Sequence, residues 1–466
     1  MGVAMGTVGI SFGSPTGGVG FNVSSTVSQI VANLQGVETP WKNQLTALES
    51  QDTAISSLGN LLSTLSNDIG SLTDFQGVLA TKQGSSSDPN VIALTSASAG
   101  AVAGTHTIVV NSLATTSSGY LSEIANASDT LSGSLSIEVG TASAQTVTLG
   151  SSDNTLAGLA ASINNAGIGV SASVLTDATG SRLSLVSSTS GATGGLTVTS
   201  SVSDTATNAA LAYTTAVSGV NASLTVDGVG ITTSSNTVST VIPGVTFQLL
   251  APSPVTAGTA ETVQVQILND SAAIVSSISQ FVSDYNAVVS AVNTQETSNS
   301  SGSPQPLLGT PTLTLLQEQL LGAINATNSQ GDIGNLSTLG LSVNDDGTVS
   351  LNTSTLNSEL NTDFSGVVSL FQNSGGFGPT FSNALSNLGT SNVEGALSLA
   401  LAADSSSESS LNQNISRENT LISAQQSSLT LELNSANEIL QAIPSNLNDV
   451  SELYSAITGY NAPTLG

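Results

Sequence analysis

Two helical seams stand at opposite ends of this chain, and no other feature restricts its folding as much. From Val27 the apolar positions run Val27, Val31, Leu34, Trp41, Leu45 and Leu48, pass through polar Asp52, and continue as Ile55, Leu58, Leu62, Leu65, Ile69 and Leu72. That three/four alternation is the seam of a packed or coiled helix. Near the other end Ile415, Ile422, Leu429, Ala436, Ile443 and Val450 recur every seven residues, while the companion column, Glu418, Gln425, Glu432, Ile439, Asn446 and Leu453, is half polar. Between the seams lies a long stretch rich in Ser, Thr and Gly. Neither end can bury its stripe alone, so the ends must find each other or other chains.

Charge narrows the partners. Among 466 residues there are 31 acids and only 4 bases, a formal charge of −27. Phosphate binding needs several Lys or Arg, and the chain holds Lys42, Lys82, Arg182 and Arg417, so nucleic acid is excluded and an anionic membrane surface is disfavoured. There is no Cys, which removes thiol nucleophiles, thiolate metal sites and disulfides. Hydrophobic residues reach 39%, too many for wholesale disorder. No run is long enough to span a membrane, and the uncharged, Gly-rich start lacks the basic region and apolar core of a secretory signal. Export without a cleaved signal, or retention inside the cell, is expected.

Periodicity changes twice along the chain. Helical spacing runs from about Ser24 to Phe75, with a break near Thr39-Pro40, where Pro40 opens a new segment because its missing N–H is harmless in a first turn. From the turn at residues 85–90 onward the pattern alternates, and short β-branched runs follow to about Ile267: Leu135–Val139, Thr146–Leu149, Val170–Val174, Leu183–Val186, Leu196–Thr199, Leu224–Val226, Val245–Leu249 and Val263–Ile267. A helix over Thr155–Asn164, capped by Asp153-Asn154, interrupts them. Helical spacing returns at Ser271–Val292, and further helices are expected at Thr312–Ala326, Thr353–Asn361, Phe364–Phe371, Phe377–Leu388 and Glu408–Ile443. Asn344-Asp345-Asp346-Gly347 predicts a tight hairpin between Leu341–Val343 and Thr348–Leu351.

The order helix, β, helix implies an α+β multidomain protein: a discontinuous, coiled-coil-like helical leg with β-rich head domains inserted in it. The expected division is a disordered start over 1–23, terminal leg segments over 24–44 and 444–466, and a helical leg domain over 45–84 and 270–443. A head domain is expected over 85–130 and 216–269, with a second inserted at 131–215.

Several passages resemble one family. Ser86-Ser-Asp-Pro-Asn-Val91 followed by Ala103-Gly-Thr-His-Thr-Ile-Val-Val-Asn-Ser-Leu-Ala114, then Asp284-Tyr-Asn-Ala-Val-Val289, Leu307-Leu-Gly-Thr-Pro-Thr-Leu313 and Leu339–Leu351 with Leu370-Phe371, are similar in order and spacing to the filament caps of bacterial flagella, hook-associated protein 2. The likeness spans nearly the whole chain. Each piece alone is weakly specific, and their order together is strong. The resemblance implies a secreted homo-oligomer at the filament tip that promotes flagellin folding and insertion, with flagellin, a hook–filament junction protein and a cytoplasmic export chaperone as partners. It implies no cofactor, no membrane insertion and no catalysis. The chain departs from the family in having Arg417 as the single base of its C-terminal helix and in its longer Gly-rich start. Another secreted filament subunit and a β-rich adhesin are the alternatives.

The residues offer little to an enzyme. His106, the single histidine, sits in an alternating strand without a Ser or Cys motif beside it, which points to a structural role. Asp345-Asp346-Gly347 lacks the spaced acids and distal Glu of a calcium loop. The interface is therefore sought in apolar columns: Val27, Ile30, Val31 and Leu34 at one end, and Ile439, Leu440, Ile443 and Leu447 at the other, where Pro444 is expected to interrupt the last helix. Trp41 is either core or an anchor against another subunit.

With so many acids, copies of the chain repel one another, and salt screens exposed charges within roughly 8 Å at physiological strength. Self-association is expected to strengthen as salt rises, or as pH falls toward the pI of about 4.1. Sedimentation at low and high salt checks this, and oligomers that fall apart on adding salt contradict it.

Overall fold

The computed structural model describes residues 18–327 and 333–460. It divides into two compact units, Met1–Thr73 with Ser277–Gly466, and Asp74–Ser276. The first is discontinuous in sequence and largely helical; the second is the β-rich stretch between its halves.

In the helical unit α1 (Val23–Gln35) begins at Asn22, whose side chain accepts a hydrogen bond from the Ser25 N–H at 2.9 Å. A single 3-10 turn over Gly36–Glu38 ends it, and α2 (Thr39–Thr73) starts with Pro40 in its first turn, where a proline costs no hydrogen bond. Burial along α2 is uneven. Trp41, Leu45 and Leu48 are half-buried, whereas Ile55, Leu58, Leu62, Leu65, Ile69 and Leu72 are closed to solvent.

The β-rich unit holds two cores. In the first, an antiparallel sheet runs in the order Lys82–Ser86, Val263–Asn269, Gly104–Ser112, Ala222–Val226, Val229–Thr233, and a three-stranded sheet joins Thr237–Val238, Val245–Leu249 and Ile92–Ala97. Ile108, Val110, Leu224, Phe247, Val265 and Ile267 fill its core. These residues alternate with half-buried or exposed ones along their strands, as the pleat requires. Lys82 pairs with Asn269 in the first ladder, and the Lys82 Nζ donates to Asn269 Oδ1 at 2.7 Å, so the chain enters and leaves this unit on adjacent strands.

The second core lies under a four-stranded sheet, Tyr213–Val217, Thr116–Leu121, Ser181–Ser190, Val170–Thr176, and a three-stranded one, Leu196–Ser200, Ser134–Val139, Gln145–Thr148. Helix α3 (Leu156–Asn165) lays Leu156, Leu159 and Ile163 into it. Its cap is Thr155, whose hydroxyl accepts from the Gly158 N–H at 3.1 Å, rather than Asp153-Asn154. The expected boundary at 131 also falls inside this core. Leu121 and Ile124 belong to it because the strand Thr116–Leu121 pairs with Ser181–Ser190, a long-range pairing that local periodicity does not report.

The chain then returns to the helical unit through α4 (Ser271–Gln295), α5 (Pro311–Ile324), the hairpin Leu341–Val343 with Val349–Leu351, α6 (Thr353–Thr362), α7 (Phe364–Gln372), α8 (Phe377–Leu388) and α9 (Ala396–Thr458). The Asn344–Thr348 turn closes as Asp-Gly chemistry dictates, with Gly347 at φ +82°. Rings from α4, α7 and α8 stack edge to face: Phe281 on Phe381 at 5.3 Å and Phe371 on Phe377 at 5.9 Å. Helix α2 packs on α8 and α9.

Polar Asp52, which interrupts the apolar seam of α2, meets Asp404 of α9, and Asp68 meets Asp284 of α4. Burial, and then the hydrogen bond and charge of Asp284, push Asp68 from 3.8 up to about 6. Burial followed by the Asp52 charge raises Asp404 in the same direction. The fold thus prefers these groups protonated. The contribution of Asp68 is complete below about pH 4 and is lost as pH rises through about 6. Asp68→Asn, which keeps the neutral form, is expected to raise the melting temperature at about pH 7.5, with a gain that shrinks toward about pH 4. Identical melting of variant and parent at the higher pH contradicts the assignment.

Candidate assembly interface

The start of the described chain is held against the far end of α9. Gly18 and Gly20 take positive φ, both +65°. A Cβ on Gly20 would collide with the Asn437 amide, and Gly18 lies against the Pro444 ring. Asn437 Oδ1 accepts from the Phe21 N–H at 2.8 Å. Beyond this clasp α1 packs on α9, burying Val23, Thr26 and Val27. The disorder expected for 1–23 therefore does not extend to Gly18–Val23, and residues 1–17 lie outside the described residues.

Helix α9 runs through Pro444 without interruption, which corrects the expectation of a break there. A proline inside a helix forfeits the hydrogen bond to the carbonyl four residues back, at a cost of about 3 kcal/mol. Here that residue is seated against Gly18, and helical turns on both sides hold their own bonds. At 63 residues the helix is about 95 Å long at 1.5 Å per residue.

The two heptad columns of α9 separate cleanly. Ile422, 3% exposed, belongs to the covered column, with Ile415, Leu429, Ala436 and Ile443 half-buried, until Val450 emerges at 63%. In the companion column Ile439 and Leu453 stand at 64% and 62% exposed. Of the residues expected at an interface, Val27 is covered within the chain. Ile30, Val31, Leu34, Trp41, Leu440 and Ile443 are half-buried, and Ile439 and Leu447 are open.

Sequence reasoning missed the extent of this open surface. Leu431 before it and Val450, Leu453, Tyr454, Ile457 and Tyr460 after it are also exposed. Their three/four spacing was available as a signal, but the same spacing describes a buried face equally well. Residues 461–466 of the expected terminal segment are outside the described residues.

The family model for the C-terminus of flagellar hook-associated protein 2 matches residues 219–456, half of the chain, and the model for its N-terminus matches residues 19–117. The chain belongs to the flagellar hook-associated protein 2 family. It is similar to the B-type flagellar hook-associated protein 2 of Pseudomonas aeruginosa, 31% identical over 320 residues, which cover 63% of this chain and 66% of that one. Among solved structures it resembles the flagellar cap protein FliD D1-D2-D3 domains from Escherichia coli, with a TM-score of 0.59 and 25% identity over 76% of this chain and 99% of that one. The fold class expected from the order of helical and β segments is the one these relatives share.

Elsewhere in this family member His106 is structural. Its Nδ1 lies 2.7 Å from Asp227 Oδ2, and Asp227 also accepts from the Thr107 N–H at 2.8 Å, tying the turn after Ala222–Val226 to the neighbouring strand. The His106 hydrogen bond first, and the Thr107 amide second, hold the Asp227 carboxyl below its usual range.

The burial of α9 makes a direct prediction. Replacing Ile439, Leu453 or Ile457 with Ser is expected to change the stability of the isolated chain by no more than about 0.5 kcal/mol each. Ile422→Ala should cost about 2–5 kcal/mol. Denaturant melts of monomeric protein check this, and a large loss at Ile457 would mean that the stripe is covered within the chain.

Proposed function

We propose that this chain caps the distal tip of the bacterial flagellar filament, as a homo-oligomer that promotes the folding and insertion of incoming flagellin. The observation that carries the reading is the exposed apolar stripe from Ile439 to Ile457 on α9, whose other column the chain covers at Ile422 and half-covers as far as Ile443. Burying such side chains is favourable by roughly 25 cal/mol per Å² before the costs of association are subtracted. A stripe that alternates apolar with polar positions makes contacts that are individually weak. Weak contacts suit a cap that must stay attached while subunits pass beneath it, since each can be released and remade without an external energy source.

In this reading the segments 24–44 and 444–466 are the parts of the leg that meet neighbouring subunits and the filament, and 45–84 with 270–443 is the leg body. The β-rich stretch 85–269, with the second core inserted in it, forms the head. Flagellin and the hook–filament junction protein are the extracellular partners, and a cytoplasmic chaperone holds the chain before it leaves, without a cleaved signal, through the flagellar export pathway. Confinement and rearrangement perform the work, and no catalytic group takes part.

Removal of 1–39 and 444–466 is expected to leave a folded, soluble protein, because the buried stripe Ile55–Leu72 and its cover lie outside the deleted segments. That protein should fail to restore swimming to a cap-deficient cell. A truncated chain that restores motility on soft agar would refute the role given to these ends.

A further inference from the structure

The five-stranded sheet of the β-rich unit ends at Val229–Thr233, and that edge is bare. Asp227-Gly228, with φ +50° and +84°, makes the two-residue turn that closes on a hydrogen-bonded pair, here Val226 with Val229. Pairing alternates from there, so Val229, Ile231 and Thr233 bond inward to Ala222–Val226. The N–H and C=O groups of Gly230 and Thr232 point outward, and they have no hydrogen-bond partner among the described residues. Beyond Thr233 the chain closes the edge itself, since the Ser190 hydroxyl donates to the Ser234 carbonyl at 2.7 Å. The open window is therefore Val229–Thr233, centred on Ile231.

Open edges invite foreign strands, and other edges of this unit carry devices against them. Lys82–Ser86, at the far side of the same sheet, bears a lysine and packs beside Ile92–Ala97. Along Val170–Thr176 the Asn164 amide takes up both the N–H and the carbonyl of Ala172, at 2.8 Å each. Tyr213–Val217 is interrupted by a register shift between Thr215 and Val217. The strand Val229–Thr233 has no charge, no proline and no shift of register.

Two side-chain observations say what this edge accepts. Gly230 has no positive φ, and a Cβ there would meet nothing, so the fold of the single chain does not require a glycine at that position. A glycine within a strand marks close approach by another backbone. Val229 shares the core-side face with its cross-strand partner Val226 but is 60% exposed, and Ile231, opposite buried Leu224, is half-buried. The core stops short at its last strand, and one further strand would finish it.

Charge selects a copy of the same chain. Between Asp204 and Glu261 the one charged side chain is Asp227, which is held by His106 and Thr107. For molecules that each carry −27, this is a stretch along which two copies approach with little repulsion. We propose that Val229–Thr233 pairs antiparallel with the same strand of a second copy, about a two-fold axis at Ile231. Gly230 of each copy then exchanges backbone hydrogen bonds with Thr232 of the other, Ile231 faces Ile231, and Val229 is covered beside Thr233. The contact closes on itself as a pair. It uses the β-rich unit where the cap reading uses α9, so either can fail without the other.

The test uses the full chain. Gly230→Pro removes an outward N–H and leaves the inner ladder whole, while Val229→Lys charges the edge and lowers the net repulsion between copies. Each is expected to weaken self-association about tenfold in sedimentation equilibrium, with the melting temperature of dilute protein unchanged. If Gly230→Pro does not fold, Val229→Lys and cross-linking decide. The absence of Cys permits that measurement. In the two-fold register the two Ile231 Cα atoms stand about 4.5 Å apart, within reach of a disulfide, whereas Thr232 stands opposite Gly230. Ile231→Cys chains should therefore form a disulfide-linked homodimer on mild oxidation, well in excess of Thr232→Cys chains. Oligomers indifferent to both edge substitutions, with no excess cross-link at 231, overturn the pairing and leave the cap reading intact. So does an edge that takes up added flagellin instead of a copy, seen as flagellin binding lost in Gly230→Pro with self-association unchanged. A wild-type chain that is monomeric at every concentration overturns the pairing and the homo-oligomer reading together.

Discussion

Closure of the apolar stripe Ile55–Leu72 by helices from the far end of the chain is the contact on which the helical unit depends. Its partners α8 and α9 begin at Phe377 and Ala396, so this core is assembled from segments separated by the whole β-rich unit. Closing so long a loop has an entropic cost that grows only slowly with length, about 0.6 kcal/mol for each doubling, if the loop is free. Here it is not free. Pairing of Lys82–Ser86 with Val263–Asn269 brings entry and exit of the inserted unit onto neighbouring strands, so its two cores are built behind a closed neck.

Burial falls away from that closure along the helices. Leu65, Ile69 and Leu72 are inaccessible, Trp41 to Leu48 are half-covered, and α9 passes from Ile422 through Ile443 to the open Val450 and Ile457. The same helices thus serve as core at one end and as an exposed apolar face at the other. The acid pairs Asp52–Asp404 and Asp68–Asp284 lie between α2 and its neighbours and weaken that packing near neutrality. A helical unit built in this way holds its body shut while the ends of α1 and α9 stay exposed.

Electrostatics divides the same way. With 31 acids and 4 bases, ion pairing is scarce enough that each base can be followed individually. Three of them serve local structure, at a helix start, in a strand pair and at the start of an inner strand. The remaining one is displayed on the longest helix.

The helices and most strands were legible in the sequence because their signals are local. Phe377–Leu388 has the same bounds in both readings, Asp346-Gly347 closes the hairpin it predicts, and Pro40 falls in a helix's first turn. What the amino-acid order determined by itself was therefore the periodicity of each segment, the charge balance, the lack of thiols and the family likeness. Tertiary structure decided which apolar columns close. Val27 is covered because Gly18 and Gly20 admit α1 onto α9, and Pro444 stays helical on that same seat. Leu121 joined the second β core through a long-range strand pairing, and Ile439 was left open while Ile422 was covered. A seam read from spacing specifies a face but not its partner, and here the partners come from distant parts of the chain.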